Sequence, residues 1–346
     1  MMLSSLITGG AGFFGDILKV ALLSLGQLCV SVDLEPDPRR HPRLTSVQAD
    51  IRQAGKLEPL FERHQFDCIF HCAAILAHDA KDREFLWSSN VEGTRNVAEL
   101  AAAHHVRKVV FVSSNCLWAD PFNRPVTEDD TQHPREIYGQ SKWEGEKILS
   151  RYADRFEHAI IRTPTIIDEG RLGLLSILFE FIDEGRRVWL VGTGENKYQF
   201  VYAPDLADAC IRASAPGHIG VFNVGSDHVE PLRAVYQSVI DRANSGSRIS
   251  SLPRIPTLQL MRLAYLAGIS PLGPYQYRMI AESFEFDTHR AHEELGWHPT
   301  LTNNEMLARA FQYYREHRGE IHARTDVSAH KRPARMGVIR LLKWMS

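Results

Sequence analysis

Cysteine is scarce here: five in 346 residues, with no C-x-x-C pair among them. A disulfide framework and a paired-cysteine redox or zinc motif are therefore not expected. Cys29, Cys68, Cys72, Cys116 and Cys210 lie mostly in or beside apolar runs, which fits a reducing cytoplasm. Excess charge of either sign is missing too, since 40 Lys and Arg face 42 Asp and Glu for a formal net charge of −2. Without a basic field or an aromatic-and-basic stripe, nucleic acid is not an expected partner. No apolar run reaches the length of a bilayer span. The apolar N-terminus does not read as a signal peptide, because a glycine turn, Asp16 and Lys19 interrupt it. The 16 histidines lack metal-ligand spacing. Cys68, His71 and Cys72 are close in sequence, but a strand would send neighbouring side chains to opposite faces, so no metal is expected. Internal repeats and low-complexity tracts are absent.

What remains is globular composition, 44% hydrophobic and 24% charged, in a chain long enough for one large α/β unit or two fused lobes. Strand-like runs at Leu3 to Thr8, Gln27 to Asp33, Ser46 to Ala49, Cys68 to His71, Lys108 to Ser113 and His158 to Arg162 alternate with helix-period segments. The longest helical segments are Gly12 to Leu25, Glu84 to His105 and Glu136 to Tyr152. That order predicts a doubly wound parallel sheet with helices on both faces. Beyond Arg162 the pattern loosens to a helix at Leu172 to Glu184, a strand at Val188 to Val191 and a Pro- and Ser-rich stretch at Ser245 to Pro256. Gly220 to Gly225 reads as another buried strand. The expected organisation is a dinucleotide-binding Rossmann domain over 1–165, a smaller interleaved substrate lobe over 166–318 and a tail over 319–346.

Thr8 to Gly15 reads T-G-G-A-G-F-F-G, directly after a strand and opening a helix. Gly9 permits the tight turn, Gly12 admits a pyrophosphate, Gly15 lets the helix pack on the sheet, and the helix amides hold the phosphate. Phe13 and Phe14 lie inside this turn; the alternative is a merely flexible loop. Asp33 ends the second strand, where a carboxylate accepts both adenosine ribose hydroxyls and repels a 2′-phosphate. The predicted cofactor is NAD rather than NADP, although Arg39 and Arg40 follow in the loop, and Asp33 has the alternative of a solvated carboxylate.

Tyr138 and Lys142, in Y-G-Q-S-K, are four apart on a predicted helix and rise from one face. A phenol is a poor base at neutral pH, but a nearby ammonium favours its phenolate. Alone such a pair is usually helix surface. Its force here comes from Ser114, which ends the preceding strand and can hydrogen-bond a substrate oxygen.

Together these motifs resemble the extended short-chain dehydrogenases/reductases, the NAD-dependent epimerase/dehydratase family, over about residues 3–316. The resemblance implies that Tyr138 exchanges a proton with a substrate hydroxyl during hydride transfer and that Lys142 also holds the nicotinamide ribose. It implies that Asp50 and Ile51 contact adenine and that Ala73, Ala74, Asn90, Ser113 and Pro164 line the cofactor. Helices Glu84 to His105 and Glu136 to Tyr152 correspond to those that pair into a homodimer in similar proteins.

The chain also departs from that pattern. Where dehydratases carry an Asp-Glu pair it has Asn115 and Cys116, which removes sugar dehydration. Where nucleotide-sugar binders place an asparagine and an arginine on the diphosphate it has Thr165 and Tyr198. Arg278 is a replacement cation or a solvated helix charge, and Arg162 with Pro164 resembles the 3β-hydroxysteroid dehydrogenase branch. The expected activity is NAD(H)-dependent oxidoreduction of a secondary alcohol or ketone, by a nucleotide-sugar epimerase or ketoreductase. The alternatives are an enzyme for a sterol, lipid or other hydrophobic small molecule, and a non-catalytic NAD sensor or scaffold. The segment V-I-R-L-L-K-W-M at Val338 to Met345 either docks on the protein or makes weak contact with a membrane surface.

Overall fold

The computed structural model describes residues 3–76, 83–171, 175–268 and 274–323. Seven parallel strands form the central sheet in the order β10-β6-β5-β4-β1-β2-β3. They are β1 (Ser4–Thr8), β2 (Leu28–Asp33), β3 (Leu44–Gln48), β4 (Cys68–His71), β5 (Lys108–Val112), β6 (Glu157–Arg162) and β10 (Gly220–Asn223). The order reverses at β1, which pairs with β2 through Ser4↔Leu28 and with β4 through Ser5↔Cys68. Clefts at such reversals, beyond the carboxyl ends of the strands, are where doubly wound sheets bind ligands. β5 is buried along its whole length because helices cover both faces.

On one face α1 (Phe13–Ser24) stacks Phe14, Leu18 and Leu22, four apart, against the sheet and against Leu206 and Cys210 of α7 (Ala203–Ala213). On the other face Leu57 and Phe61 of α2 (Ala54–Arg63), Val97 and Ala101 of α4 (Gly93–Ala103) and Ile148 of α5 (Ile137–Ser150) close a second core.

The second lobe has its own aromatic core around Trp118, Phe179, Phe284 and Phe311. It contains two small parallel pairs: β7 (Thr165–Ile167) with β9 (Phe200–Tyr202), and β8 (Val188–Val191) with β11 (Ile249–Leu252). Helices α6 (Leu175–Asp183), α8 (Leu232–Arg242), α9 (Arg254–Leu266), α10 (Pro274–Ala281), α11 (His289–Leu295), α12 (Asn303–Glu316) and α13 (Arg318–Ala323) complete it. The chain returns through β10, whose Gly220 pairs with Ala159 of β6.

Two expectations are corrected. The helix read over Glu84 to His105 is α3 (Arg83–Trp87), a π-helical turn at Ser88–Glu92, and then α4. Within the widened turn the Asn90 side chain leaves the helix to bond Ile75 and Ser141. The Pro- and Ser-rich stretch at Ser245 to Pro256 contains β11 and the start of α9, since β8 offers its edge to Ile249. Leu172 and the C-terminal tail beyond 323 lie outside the described residues.

Candidate active site

The glycine turn is shaped for close approach. Gly9 has φ +73°, and a Cβ on Gly15 would stand 2.0 Å from the Gly9 carbonyl oxygen. Only a bare backbone lets α1 begin against the turn, and no side chain caps its N-terminus. Those unsatisfied amides, with the bare carbons of Gly9, Gly12 and Gly15, suit a dinucleotide pyrophosphate. Asp33 accepts from Ala11 N at 2.9 Å and Glu35 N at 3.1 Å, which fixes its carboxylate beside the turn. Thr8, His71 and Thr94 brace the turn from below: the buried imidazole bonds Thr8 at 2.6 Å and Thr94 at 2.8 Å. Burial pushes His71 down to about 3, so it is neutral, and its ring is committed to these two hydroxyls.

The Arg39 and Arg40 question resolves structurally. Arg39 forms two 2.9 Å bonds to the Asp16 carboxylate, and Arg40 is turned onto the backbone carbonyls of Asp37 and Arg39. Burial would raise Asp16, but hydrogen bonds and charge from Arg39 and Lys19 hold it below the usual carboxylate range. Lys19, fully buried on α1, bonds Gly10 O at 2.9 Å and the Asp37 carboxylate. Neither arginine is left directed at an adenosine phosphate.

The other residues read as cofactor neighbours are placed as follows. Asp50 is engaged by Arg52 through both carboxylate oxygens, and Ile51 is buried with its carbonyl accepting from Asn96. Ala73 donates to Thr8 Oγ1 at 3.3 Å and lies against Gly9, with Ala74 next in the same loop. Asn90 closes that loop from the π turn by bonding Ile75 on both sides. Pro164 follows β6, buried.

Tyr138 and Lys142 share a face of α5, whose start is set against the serine loop. A Cβ on Gly139 would meet the Cys116 carbonyl oxygen at 2.1 Å, so the glycine permits this approach. Ser114 caps the short 3₁₀ turn Asn115–Leu117 by accepting from Cys116 N at 3.2 Å. Desolvation pushes the Tyr138 phenol above its ordinary value, the Cys116 thiol adds to the rise, and the Arg171 cation and a hydrogen bond with Ser114 offset it only in part. Lys142 is buried beneath, donating to Val112 O at 2.9 Å with its ammonium 4.7 Å from the Phe111 ring centre. Burial lowers it to about 8, against anionic neighbours that include Glu146.

Two groups here had escaped the sequence reading. Arg171 carries a charge felt by Tyr138 and lies 5.5 Å from the Phe13 ring centre, linking the glycine turn to α5. Glu146, one turn beyond Lys142, accepts from Ser113 Oγ and from both Nε and Nη2 of Arg162. Extending Y-x-x-x-K by four residues would have found it, since i+4 repeats one helix face.

Three of the four residues expected at the substrate gather around one hydroxyl. Asn115 donates to Tyr198 Oη at 3.0 Å, and Thr165 Oγ1 lies 3.4 Å from the same oxygen. Asn115 and Tyr198 line a narrow cavity with Met279 and Phe284. Arg278 belongs to α10, and its side chain is outside the described residues. A larger cleft of about 270 Å³ lies elsewhere, between α8 and α12, and is lined by none of the expected site residues.

Residues 5–225 match a family model described as the NAD dependent epimerase/dehydratase family. The chain is similar to protein y4nG of Sinorhizobium fredii, 34% identical over 343 residues, covering 99% of this chain and 86% of that one. It is also similar to a UDP-glucose 4-epimerase of Mycolicibacterium smegmatis, 28% identical over 331 residues, covering 90% and 98% of the two chains. Among solved structures, a UDP-glucose 4-epimerase from Thermotoga maritima with UDP-glucose superposes with a TM-score of 0.75 at 21% identity, covering 91% of this chain and 99% of that chain. The Bordetella bronchiseptica enzyme WbmG, solved with NAD, gives 0.75 at 20% identity, covering 91% and 95%. These two structures share the fold.

Proposed function

Because the chain belongs to the NAD dependent epimerase/dehydratase family and is an NAD-dependent enzyme, we propose that it acts on a nucleotide-sugar, as an epimerase or ketoreductase. The observation that carries the reading is the convergence of Ser114, Tyr138 and Lys142 beside the glycine turn. The UDP-sugar epimerases among the relatives favour this substrate class over a sterol or lipid. The retained proton-transfer residues argue against a silent NAD sensor.

Bound NAD supplies the acceptor and donor of the two electrons. Gly9, Gly12, Gly15 and the α1 amides hold its pyrophosphate in this proposal, with Phe13 and Phe14 in the turn, Asp33 on the ribose and Asp50 with Ile51 at the adenine. Ala73, Ala74, Asn90, Ser113 and Pro164 form the surrounding wall. Tyr138 takes the proton of the substrate hydroxyl as the carbon is oxidised and returns it on reduction. Ser114 holds that substrate oxygen. The Lys142 ammonium, kept from water, favours the deprotonated phenol. Asn115, Thr165 and Tyr198 form the substrate wall, and Arg278 is its candidate cation.

Tyr138→Phe tests the mechanism: turnover is lost while NAD affinity stays unchanged. Retained turnover would overturn it. An epimerase further shows no net change in NADH absorbance, whereas a ketoreductase consumes NADH in proportion to product.

The same proposal includes a homodimer through α3, α4 and α5 and a cytoplasmic location, with the segment at 338–345 docking on the protein or a partner subunit, or else making weak contact with a membrane surface.

A further inference from the structure

α1 packs on the sheet with Phe14, Leu18 and Leu22, yet among its buried side chains is Lys19, 0% exposed. A buried ammonium is tolerated only when it is paired and hydrogen-bonded, and an apolar side chain of similar size often packs as well or better. Lys19 therefore does something that packing does not require. The proton and hydride transfers proposed above make no use of it.

Its Nζ donates to Gly10 O at 2.9 Å and to Asp37 Oδ2, and lies 3.1 Å from Asp16 Oδ1. The same Asp37 oxygen accepts from Ser31 Oγ of β2 at 3.0 Å and Ser46 Oγ of β3 at 3.3 Å, while Asp37 Oδ1 accepts from Arg39 N at 3.0 Å. One ammonium thus ties the glycine turn to α1, to two strands and to the loop between them. The bond to Gly10 O matters most, because the other end of that peptide is held as well: Ala11 N donates to Asp33 Oδ2 at 2.9 Å. Lys19 on the carbonyl and Asp33 on the amide grip one peptide from opposite sides. Rotated by half a turn, the peptide would set its oxygen against the Asp33 carboxylate and its N–H against the ammonium, unfavourable at both ends.

We propose that Lys19 is a positioning residue for the cofactor: by holding the Gly10 carbonyl it orients the Gly10–Ala11 peptide, and that peptide aims the Asp33 carboxylate at the adenosine ribose of NAD. The second anchor of Asp33, Glu35 N at 3.1 Å, lies in the loop that Lys19 secures through Asp37, so both supports of the carboxylate lead back to the same ammonium. Lys19 touches no part of NAD in this arrangement and acts only through Asp33. The inference rests on the proposed placement of the adenosine ribose at Asp33.

The test is calorimetric titration of the full-length protein with NAD and with ADP-ribose, which keeps the adenosine half alone. Lys19→Met should weaken both about ten-fold, the scale of one charge-assisted contact. Because it strands the buried Asp37 carboxylate, Lys19→Met with Asp37→Asn removes both charges and keeps the fold, and the same loss is expected of it. Leu22→Ala loosens α1 without touching the turn and should leave NAD affinity at the wild-type value. On an Asp33→Ala background the lysine and aspartate changes together should cost less than about two-fold, because there is no carboxylate left to aim. Wild-type affinity in the double variant, the full ten-fold loss on the Asp33→Ala background, or an equal loss in Leu22→Ala overturns the proposal. Asp33→Ala alone separates the two readings: undiminished NAD affinity there removes the placement of the ribose and this inference with it, whereas weakened affinity there, with the lysine variants at wild type, overturns the inference and leaves the placement standing.

Discussion

Arg162 and Glu146 meet at two points, Nε to Oε1 at 3.1 Å and Nη2 to Oε2 at 2.8 Å, with both side chains buried. The contact joins the end of β6 to the helix bearing Tyr138 and Lys142, and through Ser113 Oγ it reaches the residue beside Ser114. A carboxylate so placed fixes the serine loop relative to the proton-transfer helix. It also favours the charged form of Lys142.

Glu146→Ala strands a buried guanidinium and should destabilise the protein by about 3–5 kcal/mol in chemical denaturation. Glu146→Gln keeps hydrogen-bonding atoms but removes the charge. Its kcat should fall more than its KM changes, and the alkaline limb of the pH profile should move below the wild-type position near pH 8. An unmoved limb would reduce Glu146 to a purely structural residue.

In the proposed binding mode cofactor choice rests on Asp33 and on Asp16, which holds Arg39. Asp16→Ala releases Arg39 from its two 2.9 Å bonds. NADP affinity should rise about ten-fold, the scale of one charge-assisted contact, with NAD binding little altered. Fluorescence titration of both cofactors decides it. Asp33→Ala combined with Asp16→Ala should enlarge the gain.

Gly15→Ala places a methyl group 2.0 Å from the Gly9 carbonyl oxygen, and the turn must open to admit it. NAD binding should be lost in calorimetry. A folded variant that binds NAD normally would show that the turn does not hold the pyrophosphate.

His71 sets an acid limit. Its imidazole is neutral in the fold, with the protonation point moved from 6.5 to about 3. The unfolded chain therefore binds the extra proton first as pH falls below 6.5, and stability drops from there towards pH 3. At pH 5 the loss is about 2 kcal/mol from this group. His71→Gln should be less stable at pH 7 yet show a shallower decline through that window.

Legibility in the sequence followed sequence distance. The glycine turn, Asp33 and the Tyr138/Lys142 spacing are local patterns, and the strands on either side announced themselves by apolar runs. Arg171 and the Glu146–Arg162 pair were hidden because their partners are distant or ordinary in sequence, and charge alone does not say what it faces. Lys19 broke the apolar face of α1 and read only as an interruption, although it is buried on Gly10 O and Asp37. The π turn was invisible because one extra residue in a helix leaves almost no periodic trace. α9 drew no expectation from the sequence, and the structure leaves its large aliphatic side chains in water.

The return of β10 to the edge of the sheet has a consequence during synthesis. A ribosome that has released only the first six strands leaves the outer edge of β6 open, and its partner Gly220 is still about sixty residues from emerging. Until Asn223 is free, that edge is a template for any other nascent strand. The growing chain should therefore need a chaperone most between the emergence of Arg162 and that of Asn223, and a stop codon in this interval should yield aggregate rather than a smaller working protein.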